Sequence, residues 1–198
     1  MPKVSEAHRA ARREEILDVA IGCFMAHGYA RTSIADLVEA SGLSAGAIYG
    51  NFPGGKQELF AAAAARVLEA RRDELLEQRS RLGVLSPGEI IRTLLDGIRH
   101  EPFSVVLPQL WGEAVVDPEI RSLVTAVFLR LRTAVAEGLA EWAATDPART
   151  RGEDPTAWAE RVTPVVLSAA PGFILQRALL DDFDEEGYLT ALSEGLVH

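Results

Sequence analysis

Residues 31–60, RTSIADLVEASGLSAGAIYGNFPGGKQELF, constrain the fold of this chain more than any other stretch. Thr32 or Ser33 offers a side-chain oxygen to a backbone N–H at a helix start, and Asp36, three residues after Ser33, completes a near capping box and suits the helix dipole. Ile34, Leu37 and Val38 then share one helical face. Gly42 accepts the left-handed backbone that closes a helix, and Leu43 fills the corner. Ser44 caps a second short helix whose first residues, Ala45, Gly46 and Ala47, are small, while Ile48 points to a core. Pro53-Gly54-Gly55 stops that helix, and Lys56 opens a long third one. A short helix, a tight turn and a second short helix form a helix-turn-helix, a unit that sets one helix in the major groove of DNA.

The wider pattern resembles the DNA-binding domain of the tetracycline-repressor (TetR) family of bacterial transcription regulators. It is carried by Ile16-Leu17, Ala20, Phe24, Gly28-Tyr29, Thr32-Ser33-Ile34, Gly42-Leu43-Ser44, Gly46, Ile48-Tyr49, Phe52 and Lys56-Gln57-Glu58-Leu59, across about residues 9 to 60. Gly50, Asn51 and the long Pro53-Gly54-Gly55 turn depart from the family's commonest pattern. The resemblance implies an all-helical protein of about nine helices in two parts. Residues 1–55 are expected to bind DNA, and residues 56–198 to sense a ligand and dimerise.

The chain has 198 residues, is 48% hydrophobic and carries a formal net charge of −9. That charge is unevenly spread. Residues 1–56 hold six basic and six acidic groups, whereas 57–198 hold 14 basic and 23 acidic ones. The first 13 residues carry Lys3, Arg9, Arg12 and Arg13 against Glu6. DNA binding needs local positive charge that releases counterions, not a basic whole protein. The acidic remainder should help point one end toward DNA.

Several classes are disfavoured. No uninterrupted apolar run approaches the roughly 20 residues of a bilayer span, and the charged N-terminus lacks the apolar stretch of a secretory signal, so a cytoplasmic location is expected. Cys23 has no second cysteine to pair with and reads as a small core thiol. His8, His27, His100 and His198 show no metal-ligand spacing, and no nucleotide loop or nucleophile elbow occurs. Neither an enzyme, a metal nor a cofactor is expected.

Beyond the motif, apolar spacing predicts helices over about 9–27, 56–82, 88–99, 103–115, 118–144, 155–181 and 184–196, with a polar loop over 145–155. No strand alternation or repeat appears. The resemblance implies that the last two helices, residues 155–181 and 184–197, pair with a second copy. A two-fold dimer suits a palindromic operator, because each recognition helix reads only a few base pairs.

Candidate DNA contacts are Arg13, Thr32, Ser33, Ser44, Ala45, Ala47, Tyr49, Asn51 and Lys56. Hydroxyls and cations serve phosphate, and the alanines touch thymine methyls. Lys56 opposes the dipole at a helix start, which favours phosphate neutralisation. For the small-molecule effector pocket implied by the resemblance, the candidates are Phe103, Leu107, Trp111, Phe128, Phe173 and Gln176, within a wider set of His100, Gln109, Glu113, Trp142 and Trp158; they combine apolar bulk with a few polar groups. The expected function is a DNA-binding transcriptional regulator, a repressor released by a small molecule. A helical protein-interaction module that never binds DNA is the alternative.

Overall fold

The computed structural model describes residues 6–195. Lys3, Leu196, Val197 and His198 lie outside the described residues. Within them the chain is all α-helical, with no strand: α1 (Glu6–Arg31), α2 (Ile34–Ser41), α3 (Ala45–Asn51), α4 (Gly55–Leu82), α5 (Pro87–Arg99), α6 (Leu107–Val116), α7 (Pro118–Ala144), α8 (Pro155–Leu179) and α9 (Glu185–Gly195). Short 3-10 turns at Pro102–Val106 and Pro147–Thr150 occupy what the sequence suggests as helix and loop respectively. α1 runs past the expected end, but Gly28 interrupts it with non-helical backbone (φ 75°, ψ 166°).

The caps explain the boundaries. Ser33 accepts from the Asp36 N–H while the Asp36 carboxylate accepts from the Ser33 N–H (2.7 Å) and hydroxyl (2.8 Å). Gly42 closes α2 at φ 67°, where a side chain would be strained, and its N–H donates to the Val38 carbonyl. Ser86 and Glu89 form a second capping box behind Pro87. Pro118 opens α7, where Asp117 accepts from the Glu119 N–H.

Those donors hold the Asp36 carboxyl below the usual carboxylate range. Its stabilising effect is therefore complete above the unfolded value and is lost as pH falls through the lower folded one. Ser33→Ala should cost about 1 kcal/mol and weaken this acid dependence without removing it, because the Ser33 backbone N–H, the larger contributor, remains. Urea unfolding at neutral pH and at pH about 3 measures both effects.

The helices sort into two compact units. The first comprises the described residues through Arg66 together with Val106–Thr125. Its core holds Ile16, Leu17, Ala20, Phe24, Leu37, Ile48, Phe52 and Phe60, all buried. Phe60 meets Phe24 edge-on at 4.9 Å and stacks on Tyr29 at 4.5 Å, a geometry that adds to plain area burial. α6 belongs to this unit too: the Gln109 side chain accepts from the Tyr29 N–H (2.8 Å), and Gln57 donates to Asp117 (2.9 Å).

The second unit comprises Val67–Val105 and the described residues from Ala126 onward. α5 is its centre, burying Ile90, Ile91, Leu94, Leu95 and Ile98, and it packs against α8 and α9. Arg99 pairs with Glu185 (3.0 Å) and Glu186, and Arg177 with Glu185 (3.2 Å), which ties α9 to its neighbours. α8 is long and apolar enough to cross a bilayer by length and composition, although only 28% of its most apolar 18-residue window is buried. Thr, Ser, Pro and Gly interleave its apolar residues, so a search for uninterrupted apolar runs misses it.

Candidate DNA-binding surface

α3 presents two unlike faces. Ile48 is fully buried, and Phe52 just after the helix is buried with it. Ser44, Ala45, Gly46, Tyr49 and Gly50 are exposed and Ala47 is half-buried. Ser44 caps the helix by accepting from the Ala47 N–H (3.2 Å). The exposed face therefore carries small residues and no charge, with Tyr49, 48% exposed, as its one large side chain. Such a face lets backbone and methyl groups lie close to base edges while leaving few side chains to read them.

Several expected contacts are engaged inside the protein. Thr32 is buried, and its hydroxyl donates to the Gly28 carbonyl (2.8 Å), so Ser33 alone is the exposed cap of α2. The Arg13 guanidinium lies over the Phe52 ring (3.9 Å to its centre) and donates to the Asn51 carbonyl oxygen and to Glu58 (3.1 Å). Lys56 donates from Nζ to the Tyr29 carbonyl (3.1 Å) and sits over the Tyr29 ring (4.3 Å). Asn51 donates its amide back to the Ala47 carbonyl (2.9 Å). Arg13 and Lys56 thus fasten α1 to the ends of α3 and α4. Sequence spacing favours phosphate neutralisation for Lys56, but its cation has a structural partner 27 residues away. Lys56→Gln should accordingly lower stability by about 1 kcal/mol, through the lost cation–π contact and hydrogen bond. Thermal unfolding of the full chain is the check.

Glu58 is among the residues that carry the resemblance but is not one of the expected contacts. One oxygen accepts from Arg13 and the other from the Gly54 N–H (3.0 Å), so it orders the Pro53-Gly54-Gly55 turn beside α3. Only its position four residues after Gly54 hints at this role. Of the expected cationic arm, Arg9 is exposed and Arg12 pairs with Glu15 (2.8 Å).

The expected pocket residues are scattered. Leu107 is buried and Trp111 half-buried in the first unit. In the second, Phe103 and Phe173 are fully buried, Phe173 in an aromatic cluster with Phe183 (5.7 Å) and Tyr188 (5.6 Å). Phe128 is 40% exposed, and Gln176, also exposed, donates to its own helix at the Gly172 carbonyl. None of these six lines the clefts of about 740, 640 and 300 Å³ in the second unit. His100, from the wider set, lines the largest.

A buried aromatic core with two capped short helices and an open small-residue face is the architecture of a helix-turn-helix module. The sequence profile described as "Bacterial regulatory proteins, tetR family" matches residues 16–63. An HTH-type transcriptional repressor of Mycobacterium tuberculosis is 52% identical over 52 residues, covering 26% of this chain and 28% of that protein. The HTH-type transcriptional repressor AcnR of Corynebacterium efficiens is 36% identical over 111 residues, 56% of this chain and 54% of that protein. The chain thus spans at most about half the length of these relatives. Among solved structures, the regulator FadR of Bacillus subtilis in complex with stearoyl-CoA superposes with a TM-score of 0.73 at 14% identity, covering 93% of this chain and 97% of that one. A putative regulator of Saccharomonospora viridis in complex with choline gives 0.71 at 19% identity, covering 96% and 97%. At such identities the likeness is one of fold. Residues 16–63 are thus similar to the tetR family of bacterial regulatory proteins, and the chain shares its fold with solved regulators.

Proposed function

We propose that this protein is a cytoplasmic, homodimeric DNA-binding repressor whose operator binding is released by a small molecule. Residues 1–55 supply the DNA contacts, and residues 56–198 supply dimerisation and effector sensing. The observation that carries the reading is the exposed Ser44–Ala45–Gly46 face of α3, held on a fully buried Ile48 and Phe52. A rigid helix with nothing bulky on its first turn is suited to close approach to a groove. Ser33, Ser44 and Tyr49 are the polar contacts we assign to phosphate, and Ala45 and Ala47 the apolar ones. Because few of these distinguish bases, DNA shape carries part of the specificity.

Dimerisation is supported by α8. Val165 (60% exposed), Leu175 and Leu179 stand open on a helix whose other face is core, and open apolar surface of this kind marks an interaction site. α9 is already partly engaged through Leu189 and its ion pairs, so α8 is the larger contributor in this reading. Two relatives in fold, solved in complex with choline and with stearoyl-CoA, support effector binding as a property of such a domain. Selection from a random duplex library tests the function: enrichment of a two-fold symmetric motif is the expected result, and failure to enrich any motif at low salt would contradict it.

A further inference from the structure

Arg71 of α4 stands apart from the other arginines of the second unit. It is 6% exposed, and only one of its three nitrogens has an acceptor: Nη2 donates to Glu74 (2.5 Å), while the buried Nε and Nη1 have none. α5 approaches it at Gly97, where an added Cβ would lie 2.6 Å from Nε. The glycine is therefore what lets the guanidinium occupy this position against α5. Buried donors without acceptors are costly, and a charged group raises that cost.

The same side chain forms part of the wall of the cleft of about 740 Å³ between α4 and α5, a volume suited to a small organic ligand. Five carboxylates line this cleft against three guanidinium groups, His100 aside. Glu74 is already paired with Arg71, and Asp96 with Arg92 (3.7 Å). Glu77 is exposed and has no ion pair among the described residues. A purely anionic ligand would satisfy Arg71 but meet the carboxylate excess. A purely cationic ligand would suit that excess and leave Arg71 unsatisfied. Only an amphoteric molecule answers both halves of the wall.

We propose that the α4–α5 cleft is a binding site for a small zwitterion, its carboxylate accepting from Arg71 and its cationic nitrogen facing Glu77 and the neighbouring acids. This deepens the effector reading above and rests on it for its regulatory meaning. Entry of the carboxylate requires a rotation of the Arg71 side chain that exposes Nε or Nη1.

Isothermal titration of the full chain with three probes of matched length, 6-aminohexanoate, hexanoate and hexylamine, tests the site. 6-Aminohexanoate is expected to bind at least about tenfold more tightly than either singly charged probe. Arg71→Lys should abolish that preference. Because a buried arginine variant risks misfolding, Glu77→Gln is the second arm: it lies on an exposed position and should weaken 6-aminohexanoate several-fold while leaving hexanoate unchanged. Equal binding of 6-aminohexanoate and hexanoate, or no saturable binding of 6-aminohexanoate, would overturn the proposal. Binding that leaves a protein–DNA complex intact would support the site and contradict the effector role, so the two readings fail separately.

Discussion

Ala45→Glu should abolish sequence-specific DNA binding while leaving the protein fully folded. Ala45 is the first residue of α3 and is exposed. A glutamate there suits the positive end of the helix, so α3 itself gains slightly if anything. The same carboxylate would stand on the face assigned to the groove, where it meets phosphate charge and occupies the space of a methyl contact. The expected loss is at least about hundredfold in affinity, or about 3 kcal/mol. Melting temperature and circular dichroism should match those of the unaltered chain. Full retention of binding would mean that α3 is not the groove-facing element.

Phe60→Ala is expected to act in the opposite manner, through the fold. Phe60 is fully buried between Phe24 and Tyr29. Removing its ring deletes both aromatic contacts and leaves a cavity in a small core that has little room to collapse. The expected cost is about 3–5 kcal/mol, a large share of the stability of a domain. Chemical denaturation followed by circular dichroism should show an early transition for this variant, and DNA binding should fall in step with the folded fraction. A change below about 1 kcal/mol would contradict the packing described.

How much of this was legible in the sequence depends on how far apart the interacting residues lie. The caps at Gly42 and Ser44 are local, each set by a partner within four residues, and the sequence places them correctly; for α2 it offers Thr32 or Ser33, of which Ser33 is the cap, and it gives no cap at Ser86. The inward position of Ile48 is legible for the same reason. Local spacing does not show the internal partners of Arg13 and Lys56, because Glu58, Asn51 and Tyr29 are 27 to 45 residues away. Nothing in local spacing shows that a guanidinium will lie on Phe52. The membership of α6 in the first unit rests on Gln109 and Tyr29, 80 residues apart, and is equally invisible to periodicity. Arg71 reads as one more charge on a long Arg- and Glu-rich helix. Its burial depends on Gly97 of another helix, so only the folded structure separates it from its neighbours.

The central claim is that α3 and its surrounding surface bind specific DNA. The most direct measurement is fluorescence anisotropy of the full chain against the duplex enriched by selection and against a scrambled duplex of the same composition, with salt concentration varied. Nanomolar to tens-of-nanomolar binding to the enriched duplex, several hundredfold weaker binding to the scramble and a linear fall of log affinity with log salt are the expected results. Equal affinity for both duplexes at every salt concentration, or no binding to either at low salt, would contradict it.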